Sequence, residues 1–236
     1  VLCMVAALGL KIRATSIVSQ PILCQVFTAA SKHYFQRMGM FNFLHLDSKM
    51  NITEHEPAGR FIPLTQITNA AELTTFIGDM IPLLHLQEIQ AQPIRYIVSE
   101  IVRNVLEHSG STFGAIVAAQ YYKKTNTIRM GIVDTGYGIN KTISYSHQTT
   151  SDLDAICMAL TPGITGTTSR EGGTDYNAGA GLFFTKSISK INKDLFVIYS
   201  GNTLYKLLRE KESATVVLKS NPLDDRHTVD TDLPYW

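Results

Sequence analysis

The sequence predicts an α/β protein of the α+β kind, and three observations carry that expectation. Residues 94–106 repeat apolar side chains at helical spacing. The runs "TFGAIVAAQYY" and "TIRMGIVDT" are strand-like and are joined by the polar "KKTN", which reads as a hairpin. After a second amphipathic helix come three further strand candidates, "DLFVIYSG", "TLYKLL" and "SATVVLKS".

The elements follow in order. The opening "VLCMVAALGL" is too short for a bilayer, which needs about 20 apolar residues. It has no initiator Met, basic leader or cleavage site, so it reads as the end of a buried helix of a chain that starts further upstream. "RATSIV" reads as a strand and "SKHYFQRMGMFNFL" as one amphipathic helix with Phe35, Met38, Phe41 and Leu44 on its core face. Residues 1–46 thus form a first segment. The polar "DSKMNITEHEPAGR", residues 47–60, reads as a linker. "FIPLTQI" is a short strand whose proline marks an edge. Asn69 is placed to cap a helix running to about residue 85. Pro93 suits the first turn of the next helix. Residues 61–220 form the main domain, and 221–236 a polar tail.

Composition excludes several classes. In 236 residues, 44% are hydrophobic and 17% charged, which suits a buried core. A formal net charge of +1 provides no field for nucleic acid or a membrane surface, so neither is an expected partner. Cys3, Cys24 and Cys157 are odd in number and far apart. That favours reduced thiols in a cytoplasm over a disulfide framework, and their apolar neighbours make them core thiols.

The chemistry concentrates in four places. In "SEIVRNVLEHSG", Glu100, Asn104 and His108 fall one helical turn apart, along the edge of the apolar arc Ile94, Ile97, Val98, Ile101, Val102, Val105 and Leu106. A solvated helix edge tolerates any polar residue, so this trio alone does not separate a site from a surface. The second strand of the hairpin runs into "DTGYGI", where Asp134, Gly136 and Gly138 form a tight, backbone-exposing turn. Residues 140–178 are rich in Gly, Thr and Ser and read as a lid or binding loop, with "TSDLDAICMAL" as a helix inside it. Then Gly179 and Gly181 immediately precede a helix, where backbone N–H groups and the helix dipole favour phosphate. The Walker pattern is absent, and "GAGLFF" does not follow a strand as a dinucleotide fingerprint does.

Taken in order, E-x-x-x-N on a helix, a hairpin ending D-x-G-x-G, a long Gly/Thr loop and G-x-G-L opening a helix resemble the GHKL superfamily of gyrases, heat-shock chaperones, mismatch-repair ATPases and sensor histidine kinases. The likeness spans about residues 61–220. It implies a two-layer α/β sandwich of the Bergerat type with a mixed sheet, and ATP or ADP with magnesium as ligands. It further implies Asn104 as the magnesium ligand and Glu100 as the residue that orients or deprotonates the attacking nucleophile. Asp134 would accept from the adenine amino group, and Gly136 and Gly138 would let the base approach the backbone. Gly179 and Gly181 would flank the phosphates, with Ala180 and Leu182 donating N–H groups. Thr215 would stand near adenine on a late strand, although a one-residue shift puts Ala214 there. His108 has a counterpart in the anti-sigma serine-kinase branch and is equally a packing residue. Lys186 and Arg170 stay open between phosphate contact and solvation.

A looser likeness adds to this. Helix, strand and "YFQRMGMF" resemble the last third of a STAS domain, so residues 1–46 would be a partial STAS-like regulatory segment. The function implied is a magnesium-dependent ATP-binding regulatory domain, a slow ATPase or a serine/threonine protein kinase of anti-sigma type, acting on a protein partner in the cytoplasm. The alternatives are the catalytic half of a sensor histidine kinase and a nucleotide-dependent switch without turnover. Whether the chain forms a homodimer is left open. Against the histidine kinase, no phosphoacceptor helix pair precedes the domain, and His33 lacks an acidic neighbour.

Overall fold

The computed structural model describes residues 1–15, 31–46, 61–83, 87–169, 179–207 and 215–219. The chain divides into two compact units, Val1–Gly136 and Tyr137–Trp236, each described by itself. Helices and antiparallel strands share both, which makes the protein α+β.

In the first unit, β1 (Phe61–Ile67), β2 (Ala115–Tyr122) and β3 (Thr127–Val133) form a sheet in the order β1-β2-β3. The β2–β3 hairpin pairs Ile116 with Val133 through to Tyr122 with Thr127. Its turn places Asn126 at φ 49°, a left-handed conformation that asparagine tolerates. On β1 the register shifts between Ile62 and Thr65. This bulge holds Pro63, which has no N–H to give a ladder, and turns the Leu64 N–H to the Met38 carbonyl at 2.9 Å.

Strand β2 decides how the unit is layered. Its residues Ala115 to Ala119 are all buried, so both faces of the strand are covered. Ala115, Val117 and Ala119 pack with Val98, Val102, Phe76 and Met80 from α4 (Ala70–Leu83) and α5 (Glu88–His108). Ile116 and Ala118 pack on the opposite side with Cys3, Ala6, Ala7 and Met38. Those residues come from α1 (Leu2–Thr15) and from the end of α2 (Lys32–Arg37), which α3 (Met40–Phe43) follows. The unit therefore has three layers where two were expected, because an apolar helix covers the second apolar face of β2. The proposed linker 47–60 lies outside the described residues, and the segments on either side of it share one core.

Ile116 is 0% exposed beneath α1. Ile116→Ala should therefore lower the unfolding free energy by about 2–5 kcal/mol in urea denaturation, the usual cost of emptying a well-packed isoleucine site. A change below about 0.5 kcal/mol would show that α1 does not pack there in solution.

Several local expectations are corrected. Arg13, Ala14 and Thr15 of the proposed strand "RATSIV" end α1 instead, and the Arg13 guanidinium donates to the Leu44 carbonyl. The single helix over 31–44 breaks at Gly39, whose φ of 73° no continuing helix adopts. Helix α1 is buried on one face only, with Met4, Val5, Leu8 and Ile12 exposed on the other. Pro93 falls within α5 rather than in its first turn, since the helix starts at Glu88. Cys3 is buried, but Cys157 is exposed, so not every thiol is a core thiol. Cys24 lies outside the described residues. By contrast, the Asn69 cap forms as read. Its Oδ1 accepts from the Glu72 N–H at 2.9 Å, while Glu72 Oε2 accepts from the Thr68 N–H at 2.7 Å. The Thr68 N–H and hydroxyl bonds hold the Glu72 carboxyl below the usual carboxylate range.

The second unit begins with α6 (Ile139–Ser144), followed by α7 (Asp152–Ala159) and α8 (Gly181–Ile191). Strands β4 (Phe196–Ser200), β5 (Thr203–Leu207) and β6 (Thr215–Lys219) form a sheet in the order β4-β5-β6. Ile156, Leu160, Phe196 and Tyr205 make its core, with Leu182 of α8 packed against them. Helix α6 is a correction to the loop expected from residue 140. It is short and tethered through the Ile139 N–H to Ser200 Oγ at 2.9 Å, a contact that no local periodicity announces. Asp152 adds to the frame, accepting from Asn140 Nδ2 and from the Asn202 N–H, both at 2.8 Å. Every pairing among the described residues is antiparallel, whereas the resemblance implies a mixed sheet. Short turns account for the β2–β3 and β4–β5 pairs, since such connections join only antiparallel neighbours, whereas β1 and β2 are joined through α4 and α5.

Candidate functional site

The residues singled out in the sequence fall in both units. Glu100, Asn104, Asp134 and Gly136 belong to the first, and Gly138, Gly179, Ala180, Gly181, Leu182 and Thr215 to the second.

In the first unit, Glu100 and Asn104 lie one turn apart on α5, and both side chains are half-buried. The helix forms because Val98, Val102 and Val105 bury one face in the core, which carries the polar edge with it. Glu100 Oε1 is 3.5 Å from the Arg103 guanidinium, and Arg103 Nε is 4.0 Å from Glu107. His108 ends the helix with Nε2 3.7 Å from Glu107. The Glu100 carboxylate thus has a cationic neighbour on its own helix.

Asp134 follows β3 directly. Its Oδ1 accepts from the Gly136 N–H at 2.7 Å, closing a tight turn on itself. The other oxygen, Oδ2, has no hydrogen-bond partner among the described residues. A half-buried carboxylate with one oxygen fixed and one free is an oriented acceptor for an N–H donor. Gly136 is required for steric reasons, since a Cβ there would collide with the Ser109 carbonyl oxygen and lie 2.8 Å from Asp134 Oδ1. The turn that carries Asp134 is therefore pressed against the end of the helix that carries Glu100 and Asn104.

In the second unit, Gly138 caps α6 at φ 82° and ψ 163°, a region that only glycine adopts without strain. The Gly179 carbonyl accepts from the Gly163 N–H at 3.1 Å, and a Cβ on Gly179 would stand 2.6 Å from the Ile164 carbonyl oxygen. This close approach holds the "TPGIT" turn against the start of α8. There the Phe184 N–H reaches the Ala180 carbonyl at 2.9 Å, which is the first bond of the helix. The N–H groups of Gly181, Leu182 and Phe183 precede that bond and have no acceptor within the helix, so they form a ready anion-binding end. Leu182 anchors this end by packing into the core, so its side chain is structural and only its N–H is available. Lys186 is half-buried on the same helix. Thr215 opens β6 and pairs with Leu207. Ala214 and Arg170 lie outside the described residues.

Among the described residues, no group of three or more His, Cys, Asp or Glu side chains is placed to hold a metal ion. At the edge of α5, Asn104 offers one amide oxygen. Such a donor fits magnesium, which keeps most of its waters and shares phosphate oxygens.

Two serines of the site were not singled out in the sequence. Ser109 and Ser111 bind the end of α5 to the Asp134 turn, and the only local signal is "SGS" directly after the helix. Comparison with protein-family models, with curated proteins and with solved structures finds no match to this chain. No helix among the described residues is long and apolar enough to cross a membrane.

Proposed function

We propose that the chain is a magnesium-dependent ATP-binding regulatory domain of the GHKL type, built as a Bergerat sandwich and working in the cytoplasm on a protein partner. The observation that carries this reading is the Asp134 turn. One oxygen of the carboxylate is tied to the Gly136 N–H, the other is free among the described residues, and the turn abuts α5 through Gly136 and Ser109. An acceptor oriented in this way suits the exocyclic amino group of adenine.

The remaining roles follow from the chemistry of each group. Within the second unit, the N–H groups at the start of α8 that have no acceptor in the helix suit an anion such as phosphate. Asn104 would hold magnesium, which neutralises charge on the triphosphate when bound. Glu100 would accept the proton of a water or hydroxyl as its oxygen attacks the terminal phosphorus, and ADP would leave with the bonding pair. Arg103 stands 3.5 Å from that carboxylate on the same helix. Water as nucleophile gives a slow ATPase, and a serine or threonine hydroxyl of the partner gives a protein kinase.

Thermal-shift titration of the wild type provides the test. A ligand that binds only the folded state stabilises it by about 2.7 kcal/mol at a hundred times its Kd. Millimolar ATP with magnesium should therefore raise Tm by several degrees, and chelation of magnesium should reduce the rise. No shift under those conditions refutes the reading. Thin-layer separation of labelled phosphate from phosphoprotein then distinguishes hydrolysis from transfer.

A further inference from the structure

We propose that Ser111 is a positioning residue for adenine recognition, fixing the Asp134 turn to the end of α5 and thereby setting the preference for ATP over GTP. The inference rests on the reading of Asp134 as the adenine acceptor and adds the group that holds it in place.

The hydroxyl of Ser111 lies 2.9 Å from the Gly114 carbonyl, 3.3 Å from Thr135 Oγ1 and 3.4 Å from the Thr135 N–H. A serine hydroxyl has one proton and two lone pairs. The Gly114 carbonyl can only accept, so the proton goes there. The two lone pairs then take the N–H and the O–H of Thr135, and the hydroxyl is fully used. Thr135 is the residue between Asp134 and Gly136, so Ser111 grips the middle of the turn.

Ser109 supports this grip. It is 9% exposed, its hydroxyl donates to the Val105 carbonyl at 2.8 Å, and it accepts from the Ser111 N–H at 3.0 Å. Between the two serines, Gly110 sits at φ 66°, a left-handed residue directly after the end of α5. The last turn of α5, Ser109, Ser111 and Thr135 thus form a continuous set of hydrogen bonds ending beside Asp134.

Position matters here because Asp134 reads a donor. The 6-amino group of adenine donates to a carboxylate oxygen. The 6-oxo group of guanine presents lone pairs to it and is repelled. A turn that pivots loses the first interaction and relaxes the second, so the ratio of ATP to GTP affinity reports where the carboxylate stands. A residue that contributes stability alone lowers Tm and leaves that ratio unchanged.

Calorimetric titration of the full chain with ATP and with GTP, both with magnesium, tests the inference on wild type, Ser111→Ala and Ser111→Thr. Ser111→Ala should bind ATP about three- to tenfold more weakly, the scale of one lost hydrogen bond, and the ATP-over-GTP ratio should fall by a similar factor. Ser111→Thr keeps the hydroxyl and should restore both. If Ser111→Ala does not fold, Thr135→Val removes the hydroxyl at the other end of the contact and should lower the same ratio. An unchanged ratio in a folded Ser111→Ala or Thr135→Val protein overturns this inference alone. Binding of neither nucleotide by the wild type overturns the adenine reading and this inference with it.

Discussion

Glu100→Ala should lower the rate of ATP turnover by about 10²–10⁴-fold, the usual worth of a positioned general base, while ATP affinity stays nearly constant. On the proposed reading Glu100 would meet the nucleophile mainly in the transition state, so its loss should appear in kcat rather than in binding. Asn104→Ala should behave in the opposite way. On the proposed reading it would remove a metal ligand, so nucleotide binding should weaken in magnesium and change little in its absence. Both residues sit one turn apart on α5, so the two variants separate the roles on one helix. Steady-state phosphate release and calorimetric titration measure them. Wild-type turnover in Glu100→Ala would leave Glu100 as the partner of Arg103 at 3.5 Å, a surface ion pair of little energetic consequence, and the domain as a binding switch.

Asp134→Asn should weaken ATP binding by about tenfold to a hundredfold while leaving the Tm of the nucleotide-free protein almost unchanged. The asparagine Oδ1 can still accept from the Gly136 N–H, now at 2.7 Å from Asp134 Oδ1, so the turn is retained. The amide nitrogen then stands where the free carboxylate oxygen was, and a donor faces the adenine amino group. Loss of one charge-assisted hydrogen bond is worth about 1.5–3 kcal/mol, which gives that range. Thermal shift across an ATP titration checks it. An ATP-induced shift in Asp134→Asn equal to that of the wild type would remove Asp134 from the site.

These two tests concern residues that were legible in the sequence, and the reason is local. Glu100 and Asn104 needed only the helical period, which α5 obeys because its apolar positions repeat over many turns. The β2–β3 hairpin was legible because two strand-like runs flank a short polar turn. The Asn69 cap was legible because its partners lie three residues apart.

Some of the fold was not legible, for the complementary reason. "SKHYFQRMGMFNFL" keeps a helical period across Gly39, and only the chain reversal that seats Met38 under the sheet shows that the helix stops there. Helix α6 depends on Ser200, which is remote in sequence and supplies the acceptor for the Ile139 N–H. Ser109 and Ser111 carry no periodic signal and acquire a role only when β3 delivers Thr135 beside them.

The sequence by itself determined helix α5, the β2–β3 hairpin and the Asn69 cap, because periodicity and capping act over a few residues. Tertiary structure alone decided that α1 covers the second face of β2, since Ile116 and Ala118 are apolar whatever lies above them and only packing chooses the cover. It alone decided that Gly136 must be glycine, because the Ser109 carbonyl that excludes a Cβ arrives from the far end of another helix. The orientation of the Asp134 carboxylate follows from that contact, through a backbone approach that no spacing of residues in the chain encodes.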